Sequence, residues 1–169
     1  MAVVYVEVVN REKFEKGFSD ALQEVDIAEF HWADQGWKVR RKFFEKVFSL
    51  DFFFKVAVFK NPAHPEKMME IVFQHLITEK NIRWIFIDGK KSRRYENEFK
   101  NVLRSKDITV KKLKTVRSES SYFGVQLADA LAGLMRYLEY NPGAEDAKQM
   151  VSKLQRSKKL FAKYIFSGK

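Results

Sequence analysis

Cysteine is absent from the sequence, and proline and glycine are scarce, with three and seven residues respectively. The absence of cysteine excludes a disulfide scaffold, a thiolate zinc site and a cysteine nucleophile, and it fits a reducing cytoplasm. No apolar run approaches the ~18 residues typical of a membrane-spanning helix. The opening residues also lack the basic segment of an export signal. We therefore expect a cytoplasmic protein with no membrane partner.

Large apolar side chains are abundant. Apolar residues make up 46% of the 169-residue chain, including sixteen phenylalanines, six tyrosines and three tryptophans. This length fits one domain of ordinary size that can bury a substantial core. We predict a single domain over residues 1–169.

The net charge is +10, and most of it lies in one segment. Residues 80–117 contain thirteen lysines and arginines against four acidic residues, which leaves a net charge of +9. A local basic field of this size favours a polyanionic partner, with nucleic acid as the first candidate. The alternative is a solvated lysine-rich surface without a specific partner.

Apolar spacing predicts strands that alternate with helices. Strands are expected at residues 3–9, 52–59, 82–87 and 108–113, and helices at residues 11–25, 35–50, 61–80, 92–105, 120–140 and 144–166. Asn10 and Asp34 are expected to cap the first two helices. The second strand is almost wholly apolar and is expected in the centre of a sheet. The fourth is basic and is expected at an edge, where lysines discourage unwanted pairing. This order predicts an α/β layer fold with a mostly parallel or mixed sheet.

Residues 120–135, SSYFGVQLADALAGLM, contain a single charged residue, Asp129. On a helix, Asp129 lies opposite a stripe formed by Leu127, Leu131, Leu134 and Leu138. That position would let Asp129 face water. However, the side of the helix that carries Asp129 also carries small and apolar residues: Tyr122, Val125, Gln126, Ala132 and Gly133. Asp129 is therefore either a solvent-facing residue or a functional carboxylate.

Three more carboxylates lie in unusual surroundings. Asp88 ends an apolar strand, Glu7 interrupts a strand of valines, and Glu29 lies in an apolar connector. Carboxylates from separate elements can hold Mg²⁺ or Mn²⁺ at one end of a sheet, and two such ions can act on a phosphodiester. Each residue also has an ordinary structural explanation. Asp88 followed by Gly89 is a turn signal, Glu7 suits a strand-edge surface, and Glu29 suits the start of a helix.

Other catalytic patterns are missing. The three histidines, His31, His64 and His75, have no metal-ligand spacing. For His31 we favour solvent exposure or core packing, with an accessory proton carrier beside Glu29 as the alternative. No phosphate-binding loop, GxGxxG, GxSxG or HExxH pattern is present. The phenylalanines and tryptophans follow helical and strand spacing, so we assign them to the core rather than to base-stacking surfaces.

The sequence VQLADALAG at residues 125–133 resembles the LQ-x-AD-x-x-AG signature of the family called domain of unknown function 3800. IFID at residues 85–88 is similar to that family's strand ending in Asp, and EFHW at residues 29–32 to its mid-chain Glu segment. The resemblance implies a ribonuclease-H-like three-layer fold, with a mixed sheet of about four to five strands flanked by helices. It also implies a metal-dependent nuclease, with Asp88 and Asp129 as two acidic site residues and Glu29 as a third.

The opening of the chain departs from that family, which begins with a strand ending in Asp-Glu-Ser-Gly. In one alignment, residues 3–9 are the family's second strand and its first strand is absent. In the other, YVEVVN replaces the first strand, and Glu7 stands where the first Asp would be. We favour the second alignment, because loss of the central strand would split the sheet and expose two edges.

Two functions follow as hypotheses. The first is a nuclease in which Glu7, Glu29, Asp88 and Asp129 bind Mg²⁺ or Mn²⁺. Phosphates would be contacted by basic residues: Lys90, Lys91, Arg93, Arg94, Lys111, Lys112 and Arg117. The second is a non-catalytic nucleic-acid-binding or assembly module that keeps the basic surface and lacks the full set of ligands. The sequence leaves a homo-oligomer open.

Overall fold

The computed structural model describes residues 1–60, 65–89, 91–116 and 122–166, without the side chains of residues 65–67, 69 and 70. Within these ranges the chain forms five strands, β1 (Ala2–Val8), β2 (Phe52–Phe59), β3 (Asn81–Asp88), β4 (Thr109–Val116) and β5 (Leu160–Phe166). It also forms six α-helices, α1 (Arg11–Glu24), α2 (Trp37–Val47), α3 (Pro65–Leu76), α4 (Arg93–Ser105), α5 (Phe123–Tyr140) and α6 (Glu145–Arg156). The α/β class is confirmed. No helix in the described ranges is long and apolar enough to cross a membrane.

The strands form two sheets, so the prediction of one sheet of four to five strands is wrong. In the first sheet, β2 lies between β1 and β5, antiparallel to β1 and parallel to β5. In the second sheet, β3 and β4 pair in parallel. The central place of β2 and the edge place of β4 agree with the sequence.

β1 lies at an edge of the first sheet, although the favoured alignment required residues 3–9 to replace a central strand. Among the described residues no strand joins β1 to β3, so the two sheets are separate. The alignment of the chain with the family stays a prediction.

The predicted helix at residues 144–166 is correct only in its first half. α6 ends at Arg156, and the chain turns at Lys158, which has a φ of +57°. Residues Leu160–Phe166 then form β5 along β2, with burial that alternates from one residue to the next. This period of two suits a strand, and β2 gains a partner on its second edge.

A side-chain cap defines the start of α1 but not the start of α2. The Asn10 side chain caps α1 as predicted, because its Oδ1 accepts a hydrogen bond of 3.0 Å from the Lys13 N–H. Asp34 does not cap α2. It ends a short 3₁₀ helix, Trp32–Asp34, and Gly36 stands at the N-cap instead.

Two cores pack against the two faces of the first sheet. The larger core joins one face of β1 and β2 to α1, α2, α5 and α6, and its fully buried aromatic residues include Phe18, Phe30, Phe43 and Phe44. The smaller core joins the opposite face to α3, α4 and the second sheet, around Phe73, Leu76 and Phe99. Each large side chain buried in this way contributes about 1.5–3 kcal/mol before entropy costs.

A lysine fastens α3 to the end of α4. The Lys106 ammonium donates hydrogen bonds of 2.7–2.9 Å to the carbonyls of Phe73, Gln74 and Ile77. These carbonyls belong to the last turn of α3 and the residue after it, where helical partners run out. α3 and α4 are therefore joined by polar bonds as well as by the smaller core.

Gly133 allows α5 to pack closely against Trp32. A Cβ atom at Gly133 would lie 2.1 Å from Trp32 Cγ, far inside van der Waals contact. At Gly124, on the same helix, a Cβ atom would meet no described atom within 4 Å.

We expect Gly133→Ala to lower the free energy of unfolding by about 1–3 kcal/mol, because Trp32 or α5 must move. Gly124→Ala is the matched control, and alanine is favoured over glycine in helices by about 0.5–1 kcal/mol. Urea unfolding of both variants measures the difference. A Gly133→Ala protein as stable as the Gly124→Ala protein would contradict this packing.

Candidate functional site

A cleft of about 1250 Å³ is lined by β1, β3 and one side of α5. Glu7, Asp88 and Asp129 all lie on its walls, whereas Glu29 does not line it. The structure therefore brings three of the four predicted carboxylates to one cleft, two of them from strands and one from a helix.

The cleft residues do not form a recognisable ion-binding group. No set of three or more His, Asp or Glu side chains in the described ranges could hold a metal ion. Asp88 is exposed and precedes Gly89, whose φ of +73° is the turn conformation that the Asp-Gly pair predicted. The Mg²⁺ or Mn²⁺ site stays a prediction from the family resemblance.

Asp129 has a specific structural partner. Its Oδ2 accepts a hydrogen bond of 2.8 Å from the Trp32 N–H. One turn earlier on α5, the fully buried Gln126 accepts a hydrogen bond of 2.9 Å from the Phe30 N–H through its Oε1. Asp129 therefore neither faces water freely nor stands as an unengaged ligand, because it holds the connector between α1 and α2.

Arg40 secures the same connector from the other side. Its Nη2 donates a hydrogen bond of 2.7 Å to the Trp32 carbonyl, and its guanidinium lies 4.0 Å from the Trp32 ring centroid. Burial lowers the pKa of Arg40. Asp129, Gly133 and Arg40 thus fix the main chain and the ring of Trp32, and Gln126 holds the main chain of Phe30. The VQLADALAG sequence therefore has a structural role.

Glu29 lies on the solvent side of this connector. Phe30 and Trp32 are buried, while Glu29 and His31 are half-buried, as side-chain alternation along an extended segment requires. Glu29 Oε1 lies 3.3 Å from His31 Nε2. Glu29 and His31 are therefore in contact, but Glu29 does not line the cleft that holds the other three carboxylates.

A polar cluster that the sequence reading missed lies where β1 and β2 meet the start of β3. Lys55, only 6% exposed, donates hydrogen bonds to Glu79 Oε1 at 2.5 Å and Thr78 Oγ1 at 2.7 Å. A lysine in the apolar strand FFFKVAVF was the available signal, because a buried ammonium requires a partner. Its partner Glu79 could not be identified from spacing.

The cluster changes the acidity of its carboxyl groups. Burial raises the pKa of Glu7 above its ordinary value of 4.5, and the neighbouring Glu79 carboxylate raises it further, against the opposing charge of Lys55. Burial also acts to raise the pKa of Glu79, but the Lys55 hydrogen bond and other bonds outweigh it and lower that pKa. Lys55 thus stabilises the charge of Glu79, and Glu7 is the carboxyl group that favours its proton.

Aromatic and basic side chains share one face of the second sheet. Trp84 pairs with Lys112 and Phe86 with Lys114 in the β3–β4 register, so the four side chains project together. We call these four residues the Trp84 face. The Trp84 and Phe86 rings stack at 6.1 Å with an interplanar angle of 6°. The expectation that tryptophans belong to the core holds for Trp32 and is wrong for Trp84, which is 37% exposed.

Cations surround these rings. The Lys112 and Lys114 ammonium groups lie 4.9 and 5.8 Å from the Trp84 ring centroid. The Arg11 guanidinium, at the start of α1, lies 5.9 Å from the Trp84 centroid and 5.6 Å from that of Phe86. This face could have been found in the sequence, because aromatic residues alternate in β3 (W-I-F) and lysines alternate in β4 (K-L-K).

The predicted phosphate-binding residues do not form one group, and those described lie on β4, on α4 and in the cleft. Lys112 lies on the Trp84 face, whereas Lys111 projects from the opposite face of β4. Arg93 and Arg94 are exposed at the start of α4, and Arg94 forms an ion pair of 2.8 Å with Glu98. Lys91 lines the cleft. Lys90 and Arg117 lie outside the described residues.

We expect Asp129→Ala to lower the free energy of unfolding by about 1–3 kcal/mol, because the Trp32 N–H loses its acceptor in a partly buried site. Asp129→Asn keeps an acceptor oxygen and should lower it by less. Asp20→Ala, at an exposed position on α1, is the control. Chemical denaturation measures all three variants, and an Asp129→Ala protein as stable as wild type would contradict the structural role.

We expect Glu7→Gln to become more stable relative to wild type as the pH rises from 4 to 7. The raised pKa means that the folded state favours protonated Glu7, so wild type loses stability as the pH rises from 4.5 through that pKa. Glutamine stays neutral throughout. Urea unfolding at both pH values tests this, with Glu12→Gln on the exposed side of α1 as control. An equal effect of Glu7→Gln at both pH values would contradict it.

Comparison of the chain with protein-family models, curated proteins and solved structures found no match.

Proposed function

We propose that the protein binds single-stranded nucleic acid through the Trp84 face and acts as a non-catalytic module. The observation that carries the proposal is the stacked Trp84–Phe86 pair, in which Trp84 is 37% exposed, with Lys112 and Lys114 in register beside it. Nucleic-acid bases stack on aromatic rings with a contribution of about 1–3 kcal/mol per base. Lysines beside the rings supply the contacts to phosphates that such binding requires.

The charge distribution supports the same ligand. The segment 80–117, which contains both strands of the second sheet, carries a net charge of +9. Lys111, Arg93 and Arg104 are further exposed cations of this segment, although Lys111 projects from the opposite face of β4. A polyanion on the Trp84 face would lie in the positive field of the whole segment, and its affinity would fall with salt.

A metal-dependent nuclease is the second candidate. It is favoured by the position of Glu7, Asp88 and Asp129 on the same cleft as Trp84 and Phe86, which would bring a bound strand near three carboxylates. The first candidate receives more support, because one oxygen of Asp129 is engaged by Trp32.

We expect Trp84→Ala to weaken binding of a short single-stranded oligonucleotide about tenfold, which is the loss of one stacked base. The salt dependence of the variant's affinity should equal that of wild type, because no charge is removed. Tyr140→Ala removes an aromatic residue that is 68% exposed at the end of α5, and it serves as control. Fluorescence anisotropy over a salt series measures both quantities. Unchanged affinity for Trp84→Ala would overturn the stacking surface.

A cleavage assay separates the two candidates. Wild type and Asp88→Asn are incubated with single-stranded DNA and RNA in Mg²⁺ or Mn²⁺. Binding without cleavage agrees with the module. Metal-dependent cleavage that Asp88→Asn abolishes would establish the nuclease instead.

A further inference from the structure

Two strands with free edges face the cleft. Among the described strands, β1 pairs only with β2 and β3 only with β4. Every residue of β1 and every residue of β3 lines the cleft. Each strand therefore has a row of N–H and C=O groups that points away from its partner strand, beside a shared space.

The β1 edge lacks the usual protection against pairing. Edge strands are commonly shielded by lysine, proline or a bulge. β4 carries lysines, whereas the β1 sequence AVVYVEV has no lysine or proline, and its pairing with β2 runs without a register shift. Glu7 is its single charge. An unshielded, regular edge of this kind is a template for another strand.

Apolar side chains line the cleft on both sides of the strand plane, beside the carboxylates of Glu7, Asp88 and Asp129. α5 contributes Val125, Ala128 and Ala132 on one side, and α3 with α4 contributes Phe73 and Phe99 on the other. A strand enclosed in this way would be covered on both faces, as are the central strands of α/β sheets. Such strands consist of nearly continuous apolar residues.

We propose that the cleft binds an extended segment of another polypeptide, which adds as a strand to the free edge of β1 and faces β3. The segment has about seven residues, spanning about 23 Å, to match β1. Its side chains are apolar on both faces. Main-chain hydrogen bonds supply the affinity and the walls select the side chains, as in other cases of strand addition.

A second copy of this chain fits the cleft less well. Every described strand already belongs to a sheet and carries its own helices. A second copy would therefore have to bring a sheet edge with its own helices into the cleft, whereas an extended segment brings a single strand.

The test uses synthetic peptides and the full chain without nucleic acid. The probe has about seven central valine, isoleucine and alanine residues with a lysine at each end for solubility. The control peptide has proline at the centre, because proline donates no hydrogen bond and interrupts pairing. Amide hydrogen exchange of β1 and β3 is measured with and without each peptide.

We expect the probe to slow exchange at alternate β1 amides at least tenfold and in a saturable manner, and the proline peptide to have little effect. Ala128→Phe fills the cleft from α5 and should abolish the protection. Ala33→Phe, at an exposed position in the 3₁₀ helix, should not. Absence of protection at saturating probe would overturn the proposal. So would protection by both peptides, or a dimer whose β1 amides are protected without peptide.

Discussion

The hydrogen bonds from the Phe30 and Trp32 N–H groups to Gln126 and Asp129 fix the arrangement of the larger core. They bind the connector between α1 and α2 to α5, so three helices are positioned by groups that lie almost a hundred residues apart in sequence. The bonds also orient α5, with its leucines toward the buried side and its small residues toward the cleft. A loss of these bonds would affect the cleft wall as well as the connector.

The same bonds show why a lone carboxylate is difficult to interpret from sequence. The leucine stripe predicted opposite Asp129 is present, and three of its members, Leu127, Leu131 and Leu134, are fully buried. The role of Asp129 depends on a main-chain N–H 97 residues away, which no local pattern reveals. A functional residue and a buried residue that accepts a structural hydrogen bond can both occur alone among apolar residues. The absence of other charges nearby therefore does not distinguish the two roles.

Local patterns predicted most of the elements, and long-range pairing explains where they failed. The apolar run of β2 indicated a central strand, and Asn10 indicated the start of α1. β5 follows α6 after a short turn and was assigned to the same helix, because its strand character depends on pairing with β2. Trp84 was assigned to the core because it follows the spacing of a strand. Because the sheet is divided, Trp84 is exposed, and its ring and the neighbouring lysines can contact a ligand.

The ion pair between Lys55 and Glu79 has a consequence for how the two sheets can vary. Lys55 belongs to the central strand of the first sheet, and Glu79 lies just before the second. A buried ion pair adds little net stability, yet loss of one partner leaves an unpaired charge that costs about 3–5 kcal/mol. Substitutions at these two positions are therefore coupled, and a viable change at either must be accompanied by one at the other. The pair also fixes the position of the two sheets relative to each other. If one sheet were shifted past the other, Lys55 would be separated from the carboxylate of Glu79.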